Sequence, residues 1–197
     1  NLVADDPHEI RGRSMLLSLR EVQADAAWAA ELIEGIRRAE GGTGLLWRMH
    51  QASLWLSQPD WRSRQQEIHD ALDYCINHDP DWSIPVLLLA EMYHKLGQLD
   101  RAEEVCRQAL NHNPSSIEVA DRLITLLEKQ NRFEDAREVL SRMDLKQRGA
   151  SDWQIRLALE SGDFSRAIES LKLRISNDDR DIESRVLLAR LLYWQTR

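Results

Sequence analysis

Small and turn-forming residues return along this chain at a nearly fixed interval. Ala102, Ala136 and Ala167 stand 34 and 31 residues apart, and Gly97, Asn131 and Gly162 repeat those two spacings. Pro80 and Pro114 are also 34 apart. Each class has its own physical reason. A helix that ends in a left-handed turn favours Gly, and Asn next. Proline cannot continue a helix, and it biases the residue before it away from helical conformation. Alanine early in a helix lets a neighbouring helix approach closely. The run from Pro85 to Pro114 holds two amphipathic segments around Gly97, and the same pattern returns downstream. A period of this length predicts an all-α fold of stacked helix pairs, each unable to bury its apolar face alone.

Composition is consistent with this. Hydrophobic residues make up 43% of the 197 and charged residues 30%, enough for a packed core. Eight Gly and five Pro are few, which suits helices better than a turn-rich β protein. The formal net charge of −7 argues against a dedicated nucleic-acid binder or docking on anionic lipid. No apolar run reaches the length of a membrane span, and the first residues carry no signal-peptide pattern. Two cysteines, Cys75 and Cys106, are too few for a disulfide framework. Asn113-Pro114-Ser115 is barred from glycosylation by its proline. The expectation is a reducing, cytoplasmic setting, or a periplasmic one if an upstream segment carries a signal.

The stretch around Gly97 resembles the tetratricopeptide repeat, whose unit is 34 residues. Leu89, Ala90, Tyr93, Gly97, Ala102, Ala109 and Pro114 stand where that family places its signature. The resemblance implies antiparallel helix pairs stacked into a right-handed superhelical solenoid with a concave groove, about 11 helices in one array over 1–197. By this register, 8–42 is a degenerate copy, and 44–80 is a copy with a longer turn. The copies 81–114 and 115–147 follow. A short copy covers 150–179, and 181–197 is an unpaired first helix.

In chain order, residues 1–7 read as the tail of a helix closed by Pro7. One helix is expected at 8–22 (Met15, Leu16, Leu17, Leu19) and another at 25–40 (Trp28, Leu32, Ile33, Ile36). Trp28, Trp47, Trp55 and Trp153 are expected in the core, with Trp61 and Trp82 filling gaps at turns. The last segment carries Val186, Leu187, Leu188, Leu191, Leu192, Tyr193 and Trp194. It is too apolar for a terminal cap, which needs a polar outer face. It therefore reads as cut from a longer array, or as a surface that pairs with a second copy.

Signatures of catalysis are absent: no Gly-rich phosphate loop after a strand, no G-x-S-x-G elbow, no H-E-x-x-H. Acidic pairs such as Asp5-Asp6, Glu103-Glu104 and Asp178-Asp179 read as solvated. Cys75 and His78 have the spacing of two zinc ligands on one helix face. The simpler reading is a core cysteine and a histidine in the last turn, favoured by the helix dipole. No enzyme activity, cofactor or metal is expected.

What remains is a surface. In the family, ligand contacts come mostly from the first helix of each repeat. Carried over by register, the inward positions are Leu87, Glu91 and Lys95, then Asp121, Arg122, Thr125 and Lys129. Trp153 and Arg156 follow, then Arg190, Tyr193 and Trp194. The binding residues expected are therefore Glu91, Arg122, Trp153, Arg156, Arg190 and Trp194. Arg122, Arg156 and Arg190 recur every 34 residues and suit an acidic or carboxylate-bearing peptide held by bidentate contacts. The competing reading pairs these arginines with neighbouring Asp and Glu. The family's clamp for acidic chaperone tails is not expected, because Leu87, Glu91, Arg122, Gly149 and Trp153 stand at its positions and four of the five are wrong in charge or chemistry.

The function expected is a non-catalytic protein–protein interaction scaffold that receives a helix or an extended peptide in its groove. The alternatives are self-association as a homodimer through the apolar terminal helix, or service as the docking arm of a larger enzyme or of a secretion or biogenesis component.

Overall fold

The computed structural model describes residues 10–142, 148–178 and 180–195. The reading of residues 1–7 lies outside the described residues, as do the last residues of the copy 115–147. Among those described there are twelve α-helices, one short 3₁₀ turn and no strand.

The chain forms two compact units, 1–113 and 114–197. The first contains α1 (Ile10–Leu16), α2 (Arg20–Ala24), α3 (Ala26–Glu40), α4 (Leu46–Ser57), the 3₁₀ turn (Trp61–Arg64), α5 (Gln65–His78), α6 (Ser83–Lys95) and α7 (Leu99–His112). The second contains α8 (Ile117–Lys129), α9 (Phe133–Ser141), α10 (Arg148–Glu160), α11 (Phe164–Asn177) and α12 (Ile182–Gln195). In the first unit α3 packs on α4, α4 on α5, α5 on α6 and α6 on α7. In the second, α8 packs on α9, α9 on α10, α10 on α11 and α11 on α12. Within the units, successive helices from α3 to α7 and from α8 to α12 thus meet, the pattern of helical repeats.

Three of the helix pairs turn in the same way. Gly97, Asn131 and Gly162 have φ of 74°, 58° and 73°. The N–H of the following residue reaches back five positions: Gln98 to Tyr93 O at 2.9 Å, Arg132 to Leu127 O at 2.9 Å, Asp163 to Ala158 O at 2.8 Å. The left-handed residue itself bonds three positions back, to His94, Glu128 and Leu159. This is the double bond of a Schellman motif, which satisfies carbonyls that the helix end leaves open. Gly41 ends α3 differently: its φ is 75° but its N–H bonds Arg37 O, four positions back. Gly41 lies at the exit of the copy read as degenerate, and that exit is built differently from the three turns inside the later pairs.

Alanines close the helix crossings. Ala90, Ala102, Ala120, Ala136 and Ala167 have no exposed surface. Around them lie Leu89, Met92, Leu123, Ile124, Leu127, Leu140, Leu157 and Leu171, each at most 3% exposed. Burial of this kind stabilises by about 1.5–3 kcal/mol per large apolar side chain.

Four expectations need correction. The helix placed at 8–22 is two pieces, α1 and α2. Ser18 Oγ donates to Met15 O at 2.6 Å, a local bond that competes with continuing the helix. Met15 and Leu19 are accordingly exposed, at 67% and 45%. Trp28 is 41% exposed rather than core, because the buried stripe of α3 is Ala29, Leu32, Ile33 and Ile36, one position round the helix. Trp47 and Trp55 are half-buried rather than core. The guanidiniums of Arg37 and Arg48 lie 5.1 and 4.5 Å from the Trp47 ring, and that of Arg64 lies 5.4 Å from Trp55.

Arg48 also covers Tyr74 at 4.0 Å, and Tyr74 stacks on His78 at 3.9 Å. A ladder of alternating cations and rings thus joins α3, α4 and α5. Trp61, by contrast, is 7% exposed on its 3₁₀ turn and packs against α4 and α5, as a gap-filling residue should.

The shared turn generates a prediction. Gly97→Val places a β-branched residue at positive φ and costs about 1–2 kcal/mol, while Asn131→Gly changes stability by less than about 0.5 kcal/mol. Urea unfolding midpoints of the two variants measure this, and equal losses contradict the turn assignment.

Candidate functional site

The first helices of the pairs in the second unit are α8, α10 and α12. Side chains on two of them, α8 and α10, meet in one polar cluster. Trp153 on α10 donates its indole N–H to Asp121 Oδ1 on α8 at 2.6 Å. Arg156, one turn further along α10, donates from Nε to Glu128 Oε1 at 3.0 Å, and its Nη2 lies 3.8 Å from Asp121. The face between α8 and α10 is therefore a lattice of one ring, one cation and two carboxylates.

Burial sets its energetics. The Glu128 side chain is only 10% exposed. Burial raises its pKa, while the hydrogen bond and charge of Arg156 pull it down. Without the guanidinium, that carboxylate is a nearly buried anion. Arg156 is therefore occupied in holding α10 to α8, as the competing reading of the sequence had it. Trp153, at 7% exposure, presents almost no ring surface and reaches the face only through the Asp121 it holds.

Arg122 differs. It is half-buried on α8, and its Nε and Nη2 are shielded from solvent with no hydrogen-bond partner among the described residues. Buried guanidinium donors are normally satisfied. Arg190 and Trp194 lie on α12, both exposed, Trp194 at 75%. Glu91 belongs to the first unit, on α6, where Lys95 Nζ pairs with it at 3.1 Å and also donates to Leu56 O at 3.3 Å. Lys95 thus caps the C-terminal end of α4. The six expected residues fall into three places: Glu91 in the first unit, Arg122 with Trp153 and Arg156 on the α8 and α10 face, and Arg190 with Trp194 on α12.

Sequence reasoning missed the second polar node of this unit. Arg174 on α11 donates from Nε to Asp181 Oδ2 at 2.6 Å and also pairs with Asp152 on α10. Asp181 in turn caps α12, accepting from Ser184 N at 3.0 Å and Ser184 Oγ at 2.8 Å. The bonds from Ser184, then Arg174, lower its pKa to about 2. The legible signal was Asp three residues before Ser at the start of an apolar run, a capping pattern. A cleft of about 560 Å³ opens beside this node, lined in part by Arg156, Leu159, Arg174, Glu183 and Leu187.

Among the described residues no three His, Cys, Asp or Glu side chains converge on a metal position. Cys75 is fully buried and its Sγ lies 3.3 Å from Leu45 O. Burial pushes its pKa up to about 11, opposite to what a reactive thiol needs. His78 bonds Tyr74 O through Nδ1 at 2.8 Å. His50 is held by Ser14 Oγ at 2.8 Å, and burial lowers its pKa to about 4. Among the described residues no helix is long and apolar enough to cross a membrane.

The α8 and α10 lattice yields a pH-dependent prediction. Because the folded pKa of Glu128 is raised, its protonated form favours the folded state. That contribution is full below the ordinary carboxylate pKa and fades as pH rises through the raised value. Arg156→Ala removes the offsetting cation and costs on the order of 1–3 kcal/mol at pH 7. The deficit relative to the parent shrinks on going to pH 5. Urea denaturation of parent and variant at both pH values checks this, and a deficit that grows on acidification contradicts it.

Comparison with known proteins fits this picture. The tetratricopeptide repeat model matches residues 97–157. A tetratricopeptide repeat protein from Parabacteroides merdae ATCC 43184 superposes with a TM-score of 0.62 at 15% identity, covering 96% of this chain and 73% of its own. PilF of Pseudomonas aeruginosa gives 0.58 at 15% identity, with 95% and 85% covered. A thermophilic tetratricopeptide repeat protein of Thermus thermophilus gives 0.57 at 16% identity, with 93% and 99% covered. A search of the curated proteins returns no match. Residues 97–157 match the tetratricopeptide repeat model, and the chain shares the fold of these tetratricopeptide repeat proteins.

Proposed function

We propose that this chain is a non-catalytic scaffold that holds a carboxylate-bearing peptide on the first-helix face of its second unit, with Arg122 as the anchoring cation. The tetratricopeptide fold is in general that of a protein–protein interaction scaffold. The finer reading rests on one observation. Arg156 is ion-paired with Glu128 and Asp121, and its Nη2, like the Nε and Nη2 of Arg122, holds no hydrogen bond among the described residues; Arg122 differs in having no ion pair among them. A guanidinium without an ion-pair partner can take a carboxylate in bidentate geometry once that shielded edge turns outward. Fixed helices also reduce the ordering entropy that binding costs.

A second reading, self-association through α12, is favoured by the exposure of Ile182 at 73%, Tyr193 at 56% and Trp194 at 75%.

The test of the first reading uses a fluorescein-labelled acidic peptide with a free C-terminal carboxylate. Binding is followed by anisotropy for the full chain, Arg122→Ala and Lys129→Ala. The expected result is a loss of about 10-fold or more with Arg122→Ala, the cost of one charge-assisted bidentate contact. Lys129→Ala changes affinity much less. Equal losses, or no binding by the parent, overturn the proposal.

A further inference from the structure

α12 is apolar on two opposite sides. Ser184, Leu187, Leu188 and Leu191 face inward, where Leu191 closes a cluster with Ile155, Ala158, Ala167, Ile168 and Leu171. At 3.6 residues per turn, Ile182, Val186, Ala189 and Tyr193 share the opposite side. All four are exposed: Ile182 at 73%, Val186 at 47%, Tyr193 at 56% and Ala189 with them. Their spacing is that of the alternating core positions of a heptad, the seam along which one helix meets another. Glu183 and Arg190 flank this seam on one side, and Arg185 and Leu192 on the other.

We infer that the outer face of α12 is a homodimer seam, in which two copies cross antiparallel with Glu183 of each against Arg190 of the other. This rests on self-association through α12 and adds its orientation and register. The stripe is its own complement when reversed. Tyr193 of one copy meets Ile182 of the second, and Val186 meets Ala189, a large residue against a small one. Two-fold symmetry requires such self-complementarity.

Charge decides the direction. In an antiparallel pair the same flank of both helices meets, so Glu183 faces Arg190 twice. In a parallel pair opposite flanks meet, which sets Arg185 against Arg190 and repels. Glu183 and Arg190 are both exposed. Asp181, fixed by Ser184 and Arg174, anchors the start of the helix and keeps the stripe turned outward. The seam is about 17 Å long at 1.5 Å per residue. That places the contact at the small end of specific interfaces and makes the dimer weak.

The test is sedimentation equilibrium of the full chain at low salt, over micromolar to millimolar loading. The parent is expected to dimerise. Glu183→Arg and Arg190→Glu each weaken the dimer about 10-fold, since each creates two like-charge contacts. An equimolar mixture of the two variants is expected to restore pairing to near the parent level, because every contact across that heterodimer is then opposite in charge. Circular dichroism confirms that both variants remain folded. A parent dimer indifferent to both variants, or a mixture no tighter than either alone, overturns the antiparallel register while leaving self-association standing. A parent that stays monomeric throughout overturns both.

Discussion

One backbone constraint governs this fold: a helix must stop, reverse and return within a few residues without leaving its last carbonyls unpaired. Gly97, Asn131 and Gly162 meet it in the same way, at positive φ and with two backward hydrogen bonds apiece. The turn fixes the exit direction of the chain. That direction fixes which face of the next helix meets the last one. Alanines at the crossing then set how closely the two approach. Within the second unit the α8–α9 hairpin meets α10, and the α10–α11 hairpin meets α12.

Polar chemistry is distributed differently in the two units. In the first, Arg37, Trp47, Arg48, Tyr74 and His78 stack across α3, α4 and α5. Arg48 Nη2 also donates to Gly42 O at 2.6 Å, tying the loop after α3 to the ladder. Glu40 accepts from Leu46 N and Trp47 N and so caps α4 from the preceding helix. In the second unit the links are ion pairs: Arg156 with Glu128 and Asp121, Arg174 with Asp152 and Asp181. A half-buried ion-pair lattice holds its helices in register, but it also uses up most of the charge open to a ligand. Arg122 is the exception on that face, which is why it carries the functional proposal.

The repeat was legible because its markers are local. A left-handed turn needs Gly or Asn wherever it occurs, and a close crossing needs a small residue, so both appear as spacing. The break between α1 and α2 was not legible, since it depends on Ser18 bonding Met15 O instead of solvent. Nor was the exposure of Trp28. Periodicity places it within one position of a buried stripe, and one position is a rotation of about 100°. The site was legible only as a face. Register put Asp121, Arg122, Trp153 and Arg156 on first helices. Which arginine is spent in a pair depends on side-chain reach between α8 and α10, and no spacing rule records that.

Site-resolved amide hydrogen exchange tests the central claim most directly. The N–H groups of Gln98, Arg132 and Asp163 lie just past the helix ends, yet in this account each is bonded back to Tyr93, Leu127 and Ala158. All three are expected to exchange slowly, within reach of the helix interiors beside them, and Gly42 in the unlike turn after α3 is expected to exchange fast. Exchange of Gln98, Arg132 and Asp163 as fast as Gly42 would contradict it.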